Sequence, residues 1–271
     1  MKHINHLLTF FLLIIPIVKL FATAQIPDKL IIKEDTLSIY SNPLEQLTNI
    51  DSLREKLFGD KKGCHSTACW REYMAEWRID NNQLYLTGIY SCCYYEDNIK
   101  ANLRQLFGEK FIDGKVKADW VTANLLSPQG RQLYYVHMGY ESLYEKEIVF
   151  EIKKRKFISA QTFDNSKSKQ SAYSLDHEKL SRHIYSNINW NKLPKQEKTI
   201  KVFVQFSANE QGVIDSIKVL KGYNTLFDQE ALRVVKTIPG WDIYYRHGKH
   251  ERRVWNLPII FSEENKRKFK Q

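Results

Sequence analysis

Apolar and polar positions repeat with two different periods along this chain, and the switch between them outlines its elements. Leu44 to Phe58 has helical spacing and stops at Gly59; Asn98 to Phe107 does the same and stops at Gly108, each glycine suited to a left-handed cap. Between and after them the period is two. Met74 to Ile79 and Leu84 to Tyr90, parted by Asp80-Asn81-Asn82, predict a β-hairpin. Ala118 to Leu126 and Leu133 to Met138, parted by Ser127-Pro128-Gln129-Gly130, predict a second hairpin, and Glu147 to Ile158 a further strand. Residues 25–163 therefore read as a mostly antiparallel β domain with about two helices, whose aromatic residues serve cross-strand packing.

A polar stretch from Asp164 to Ser174 reads as a short linker without proline, which keeps what flanks it close together. Beyond it the periods are sharper. Leu175 to Ile188 is a predicted helix with Leu180, Ile184 and Ile188 on one face and Asp176 as its cap. Ile200 to Phe206 alternates strictly, Ala208 to Gly212 turns the chain, and Val213 to Leu220 returns as a strand. A helix over Leu226 to Ile238 carries the stripe Phe227, Ala231, Val234 and Ile238, is ended by Pro239-Gly240, and leads to a last strand over Arg252 to Phe261. The order α-β-β-α-β predicts a three-stranded antiparallel sheet covered on one face by two helices, so the chain is α+β overall. Residues 263–271 form a basic tail.

One ordered set of residues in this second part carries a resemblance. It comprises Lys201-Val202-Phe203-Val204-Gln205-Phe206, Gly212-Val213-Ile214, Glu230-Ala231-Leu232, Pro239-Gly240-Trp241, Gly248-Lys249 and Pro258-Ile259-Ile260-Phe261. From Asp176 to Phe261 the chain resembles the TonB carboxy-terminal domain family. The resemblance implies a module in the periplasm of Gram-negative bacteria that grasps outer-membrane receptors and passes on energy from an inner-membrane motor. Full transducers of that family carry a retained membrane helix and a long proline-rich spacer. An aromatic, cysteine-bearing β domain stands here instead, so receptor or envelope binding is implied more strongly than force transmission.

The residues themselves agree with a binding role. A small sheet has edges, and Arg252, Arg253, Val254, Trp255, Asn256 and Leu257 of the last strand are the candidate partner-binding residues, offering backbone groups to an extended peptide. Pro258 cannot donate and limits pairing beyond Leu257. Lys249, His250, Arg252 and Arg253 beside that edge favour an acidic partner, or equally guard the edge against aggregation.

The leading residues bear on location. Met1-Lys2-His3, the apolar run Leu7 to Val18 and Ala22-Thr23-Ala24 before Gln25 fit a secretory signal over residues 1–24. Twelve residues of helix cover roughly 18 Å of a hydrocarbon core about 30 Å thick, which favours cleavage and the periplasm over an uncleaved inner-membrane anchor. Cys64, Cys69, Cys92 and Cys93 then read as two disulfides in an oxidising compartment. A bond within the vicinal pair needs a strained ring, so Cys64 and Cys69 are each expected to reach Cys92 or Cys93, with the partner of each left open. Zinc held by four thiolates, or a reactive thiol beside His65, is the alternative; the spacings are not paired C-x2-C knuckles.

Composition narrows the remaining classes. The chain has 271 residues, 43% apolar and 27% charged, enough for real cores and too apolar for disorder. Its 41 Lys and Arg against 31 Asp and Glu give a charge of +10, but the cations are spread rather than set in an aromatic-interleaved stripe, so no nucleic-acid partner is expected. His137 stands with no acid or nucleophile at a pairing distance in sequence, and no catalytic residue, metal or cofactor is expected. Three functions follow from this reading: an exported TonB-like binder of an outer-membrane receptor or other envelope partner, a periplasmic scaffold for peptidoglycan or another acidic component, and a thiol or zinc enzyme in the cysteine-rich half.

Overall fold

The computed structural model describes residues 24–137 and 139–269, so the expected leader over residues 1–24 lies outside the described residues but for Ala24. The chain is α+β. It begins with a hairpin that the alternation leaves unmarked, β1 (Asp28–Ile32) and β2 (Asp35–Ile39). The helix expected over Leu44 to Phe58 is broken: a 3-10 turn at Pro43–Gln46 is followed by extended Leu47 and a short α1 (Ile50–Arg54). Leu44, Leu53 and Leu57 are all buried, so the apolar spacing records burial of separate turns rather than one helix.

Next come β3 (Met74–Asp80) and β4 (Gln83–Tyr90), joined by Asn81 and Asn82 with φ of 48° and 57°. A two-residue hairpin loop asks for left-handed backbone at both positions, which asparagine tolerates. The second expected helix begins later than its spacing implies. A short α2 (Tyr94–Asp97) ends at left-handed Asn98, and α3 (Leu103–Phe107) starts where the Asn102 side chain accepts from the Gln105 amide at 3.1 Å. Small strands β5 (Phe111–Ile112) and β6 (Lys115–Lys117) then pair with each other, β6 lying also on β4.

The second expected hairpin is corrected by the structure. Ser127-Pro128-Gln129-Gly130 does not turn the chain; it lies inside one long strand, β7 (Ala123–Tyr134). That strand is at the end of the sheet order, where Pro128 is tolerated, and Gly130, with φ of 76°, falls at a register shift between Gln129 and Gln132. The strand expected over Glu147 to Ile158 is instead a hairpin of β8 (Leu143–Lys153) and β9 (Lys156–Asp164). Its loop, Lys154-Arg155, has positive φ at both residues and no glycine or asparagine to announce it. Tertiary bonds hold it: Lys154 N–H donates to Thr122 Oγ1 and Arg155 N–H to Val121 O, each at 3.0 Å.

The strand order β2-β1-β3-β4-β9-β8-β7 curls on itself. Where β2 meets β7, Tyr40 N–H donates to Leu126 O at 2.6 Å and Leu126 N–H to Ser41 Oγ at 3.1 Å. The result is a partly closed barrel around Trp77, Leu84, Leu86, Leu125 and Ile152. Two disulfides, Cys64–Cys93 and Cys69–Cys92, lash the 64–72 loop to the end of β4.

The second part follows its sequence pattern closely. After α4 (Ala172–Leu175) and α5 (His177–Ser186) come β10 (Ile200–Ala208), β11 (Ile214–Lys221) and α6 (Thr225–Lys236). A small hairpin of β12 (Tyr245–Arg246) and β13 (Lys249–His250) precedes β14 (Trp255–Phe261), and the basic tail is helical as α7 (Glu263–Phe269). The three-stranded antiparallel sheet has the order β11-β10-β14. Leu180, Ile184, Phe227, Ala231 and Val234 cover one face over Val202, Val204, Phe206 and Ile259. Asp176 caps α5, its Oδ1 accepting from the Lys179 amide at 2.9 Å.

The polar stretch from Asp164 to Ser174 is built into the fold. Asn165 and Ser168 are buried, and Lys169 pairs with Ile243 across an isolated bridge.

Candidate functional site

Strand β14 pairs with β10 from Trp255↔Phe206 to Phe261↔Ile200 and lies at the end of its sheet. Residues along an antiparallel strand present their backbone groups alternately to the partner and away from it. Ile260 faces away: its carbonyl accepts from Asn265 Nδ2 at 3.0 Å, and its N–H lies on the side of the Tyr185 hydroxyl. The same alternation turns Pro258 and Asn256 outward. Pro258 therefore loses no ladder bond to β10, and the outer edge is closed by α5 and α7 at one end and open at the other. Among the described residues, the Asn256 N–H and C=O and the Pro258 C=O are the outward groups that meet no partner.

A groove of about 180 Å³ opens beside that free stretch, lined among others by Tyr173, Leu180, Phe206, Trp241, Trp255 and Leu257. Trp255 packs edge-on against Trp241 with ring centroids 5.6 Å apart, and Trp241 against Phe206 at 4.9 Å. The Trp241 Nε1 is buried with no hydrogen-bond partner among the described residues. Next to Trp241 in sequence, the Asp242 carboxylate accepts from the Ser171 amide at 2.6 Å and from the hydroxyl of groove-lining Ser174 at 2.5 Å, and burial raises its pKa.

The six candidate binding residues fall into two groups. Trp255, Asn256 and Leu257 are in the strand, with Asn256 Oδ1 accepting from Gln205 Nε2 at 3.1 Å. Arg252, Arg253 and Val254 precede it. Val254 is exposed, but the two arginines are engaged within the chain. Arg252 grips Asp215 with both terminal nitrogens, Nη2 to Oδ2 at 2.8 Å, and this pairing lowers the Asp215 pKa. The guanidinium of Arg253 lies 3.5 Å above the Tyr244 ring. The basic flank read from the sequence is thus largely occupied, and the edge is electrostatically quieter than its composition implies. Tyr185 and Asp215 are distant in sequence, and Asn265 stands five residues past Ile260 in the basic tail; none carries a local signal of these roles.

In the first part, both disulfides join the 64–69 segment to Cys92-Cys93, Cys64 reaching Cys93 and Cys69 reaching Cys92. All four cysteines are used, so none offers a thiolate in this state. His65 Nδ1 is 3.0 Å from Glu72 Oε1, and exposed His137 lies against the Tyr135 ring. Compared with known proteins, the chain matches no family model, no curated protein and no solved structure.

Proposed function

We propose that this chain is a TonB-like binding module of the Gram-negative cell envelope, which takes an extended segment of an outer-membrane receptor or another envelope protein onto the free edge of β14. The observation that carries this reading is the asymmetry of that edge: Ile260 is closed by Tyr185 and Asn265, whereas Asn256 and the Pro258 carbonyl remain open beside an apolar groove. Strand addition draws its affinity from main-chain bonds and its selectivity from pockets for alternate side chains; the outward groups of Asn256 and Pro258 and the neighbouring groove support this reading. The two disulfides are those of an oxidising environment outside the cytoplasm, and the periplasm is the compartment the reading assigns. Because Arg252 and Arg253 already have partners, the strand edge rather than a basic surface is the feature to test, which favours this reading over a scaffold for acidic polymers.

Asn256→Pro tests it. Its amide faces away from β10, so proline removes an outer donor without removing a ladder bond. A photoreactive residue at exposed Val254 should capture an envelope protein from the parent and at least tenfold less from the Asn256→Pro variant. Equal capture by both would refute the docking mode.

A further inference from the structure

The approach to β14 is held by the first part of the chain. Tyr134, at the end of β7, brings its hydroxyl to the carbonyls of Lys169 (2.8 Å) and Ile243 (3.1 Å). Its ring meets Tyr244 edge-on at 5.1 Å, and Tyr244, 1% exposed, shares a small core with Leu143. The residues that follow are tied in turn. Tyr245 N–H donates to Ser168 Oγ (2.8 Å), Arg246 Nη2 to Glu141 O (2.9 Å), His247 N–H to Glu147 Oε2 (3.3 Å) and Gly248 N–H to Asn165 Oδ1 (3.0 Å). Glu251 N–H then returns to Tyr244 O at 2.8 Å, and Arg253 lies over the Tyr244 ring. The central ring of this joint therefore carries the second residue of the candidate binding segment.

We infer that Tyr134, Tyr244 and Arg253 are positioning residues through which the first part of the chain holds the open half of β14 in its docking conformation; this use rests on the strand-docking reading. The physical need is plain. An edge strand is paired on one side only, and its ends open locally unless something anchors them. Tyr185 and Asn265 anchor the Ile260 end, while the opposite end leads directly from irregular chain. At that end the Arg252–Asp215 pair anchors the chain within the second part, and the Tyr134–Tyr244–Arg253 contacts add an anchor from the first part; an edge ordered beforehand loses less entropy when a partner arrives.

Amide hydrogen exchange on the full chain measures this without any partner. The Trp255 and Leu257 amides face β10 near the joint, and those of Ile259 and Phe261 lie at the end held by Tyr185 and Asn265. Tyr134→Phe removes one hydroxyl distant from the edge, and Arg253→Gln removes the cation while keeping a long side chain. Each should speed exchange at Trp255 and Leu257 by about fivefold and leave Ile259 and Phe261 unchanged. No change at Trp255 and Leu257 overturns the inference. So does a uniform rise along β10 and β14, the mark of general destabilisation. Neither result touches the docking reading, which the Asn256→Pro capture decides separately.

Discussion

In the first part of the chain the fully buried Asp28 carboxylate accepts from the Ala75 amide (3.0 Å), Trp77 Nε1 (3.0 Å) and Arg71 Nη2 (3.2 Å). In the second part, the corresponding centre is Val202, Phe206, Phe227 and Val234, apolar side chains at most 2% exposed. The contrast follows from how each part is assembled. The barrel gathers loops from distant positions: Arg71 is delivered by the segment that the Cys69–Cys92 bond pins, and it also donates to Tyr140 Oη and Ile26 O. The smaller sheet is made of regular elements whose apolar stripes meet directly. In the first part covalent ties and directed polar bonds are added to an apolar core, whereas the second rests on periodic burial alone for its centre.

Three experiments can break or sharpen that contrast. The largest effect is expected from Arg71→Met, which leaves the Asp28 charge buried without its counter-ion and costs about 3–5 kcal/mol. Exchange protection of β1 and β3 amides should fall by that amount while β10 keeps most of its own. An equal loss in β10 would show that the two parts unfold as one unit. Next is the paired change Cys69→Ala with Cys92→Ala; since Cys64–Cys93 still closes the same segment, only the small ring between the two bridges is released, and the cost in the first part should be about 2 kcal/mol. A denaturant midpoint that does not move would mean that the bridge does not brace the barrel.

The smallest effect concerns pH. Burial pushes the Asp28 carboxyl up to about 6 from its ordinary 3.8, against the pull of Arg71 and the two N–H donors. A folded-state pKa above the unfolded one means that the native state binds the proton more tightly. The stability linked to this group is therefore complete below about pH 4 and lost as pH rises through 6. From pH 7 to pH 5 the first part should gain about 1 kcal/mol from this group. Asp28→Asn should abolish that slope, and a slope of the opposite sign in the parent would exclude the assignment.

The legibility of the two parts differs for the same physical reason. In the second part, alternation over Ile200 to Phe206 and the Phe227, Ala231, Val234 stripe locate the elements to within a few residues, because the face that is apolar in sequence is the face that is buried. In the first part, Pro128 and Gly130 look like a turn and lie in a strand, while Lys154-Arg155 looks like strand and is a turn. Local propensity is weak there beside the bonds to Thr122 and Val121 and the place of β7 at the end of the sheet. Of the candidate site, the place of Trp255 to Leu257 in the last strand is readable, since it depends on strand period, whereas the pairing with β10 runs on past Pro258 to Phe261. The closure at Ile260 and the engagement of both arginines are not readable.

What the residues alone determine here is what neighbours in sequence can enforce: the Asn81-Asn82 turn, the Asp176 cap, the α-β-β-α-β order of the main elements after residue 174 without the small β12-β13 hairpin or the helical tail, and a cysteine set compatible with two bridges. Which sulfur meets which, how the barrel closes between Tyr40 and Leu126, and which half of β14 is left open were decided only in three dimensions. Each of these depends on groups brought together from far along the chain, such as Tyr40 on Leu126 and Tyr185 beside Ile260. A backbone donor carries no record of its eventual partner until the packing of the whole chain supplies one.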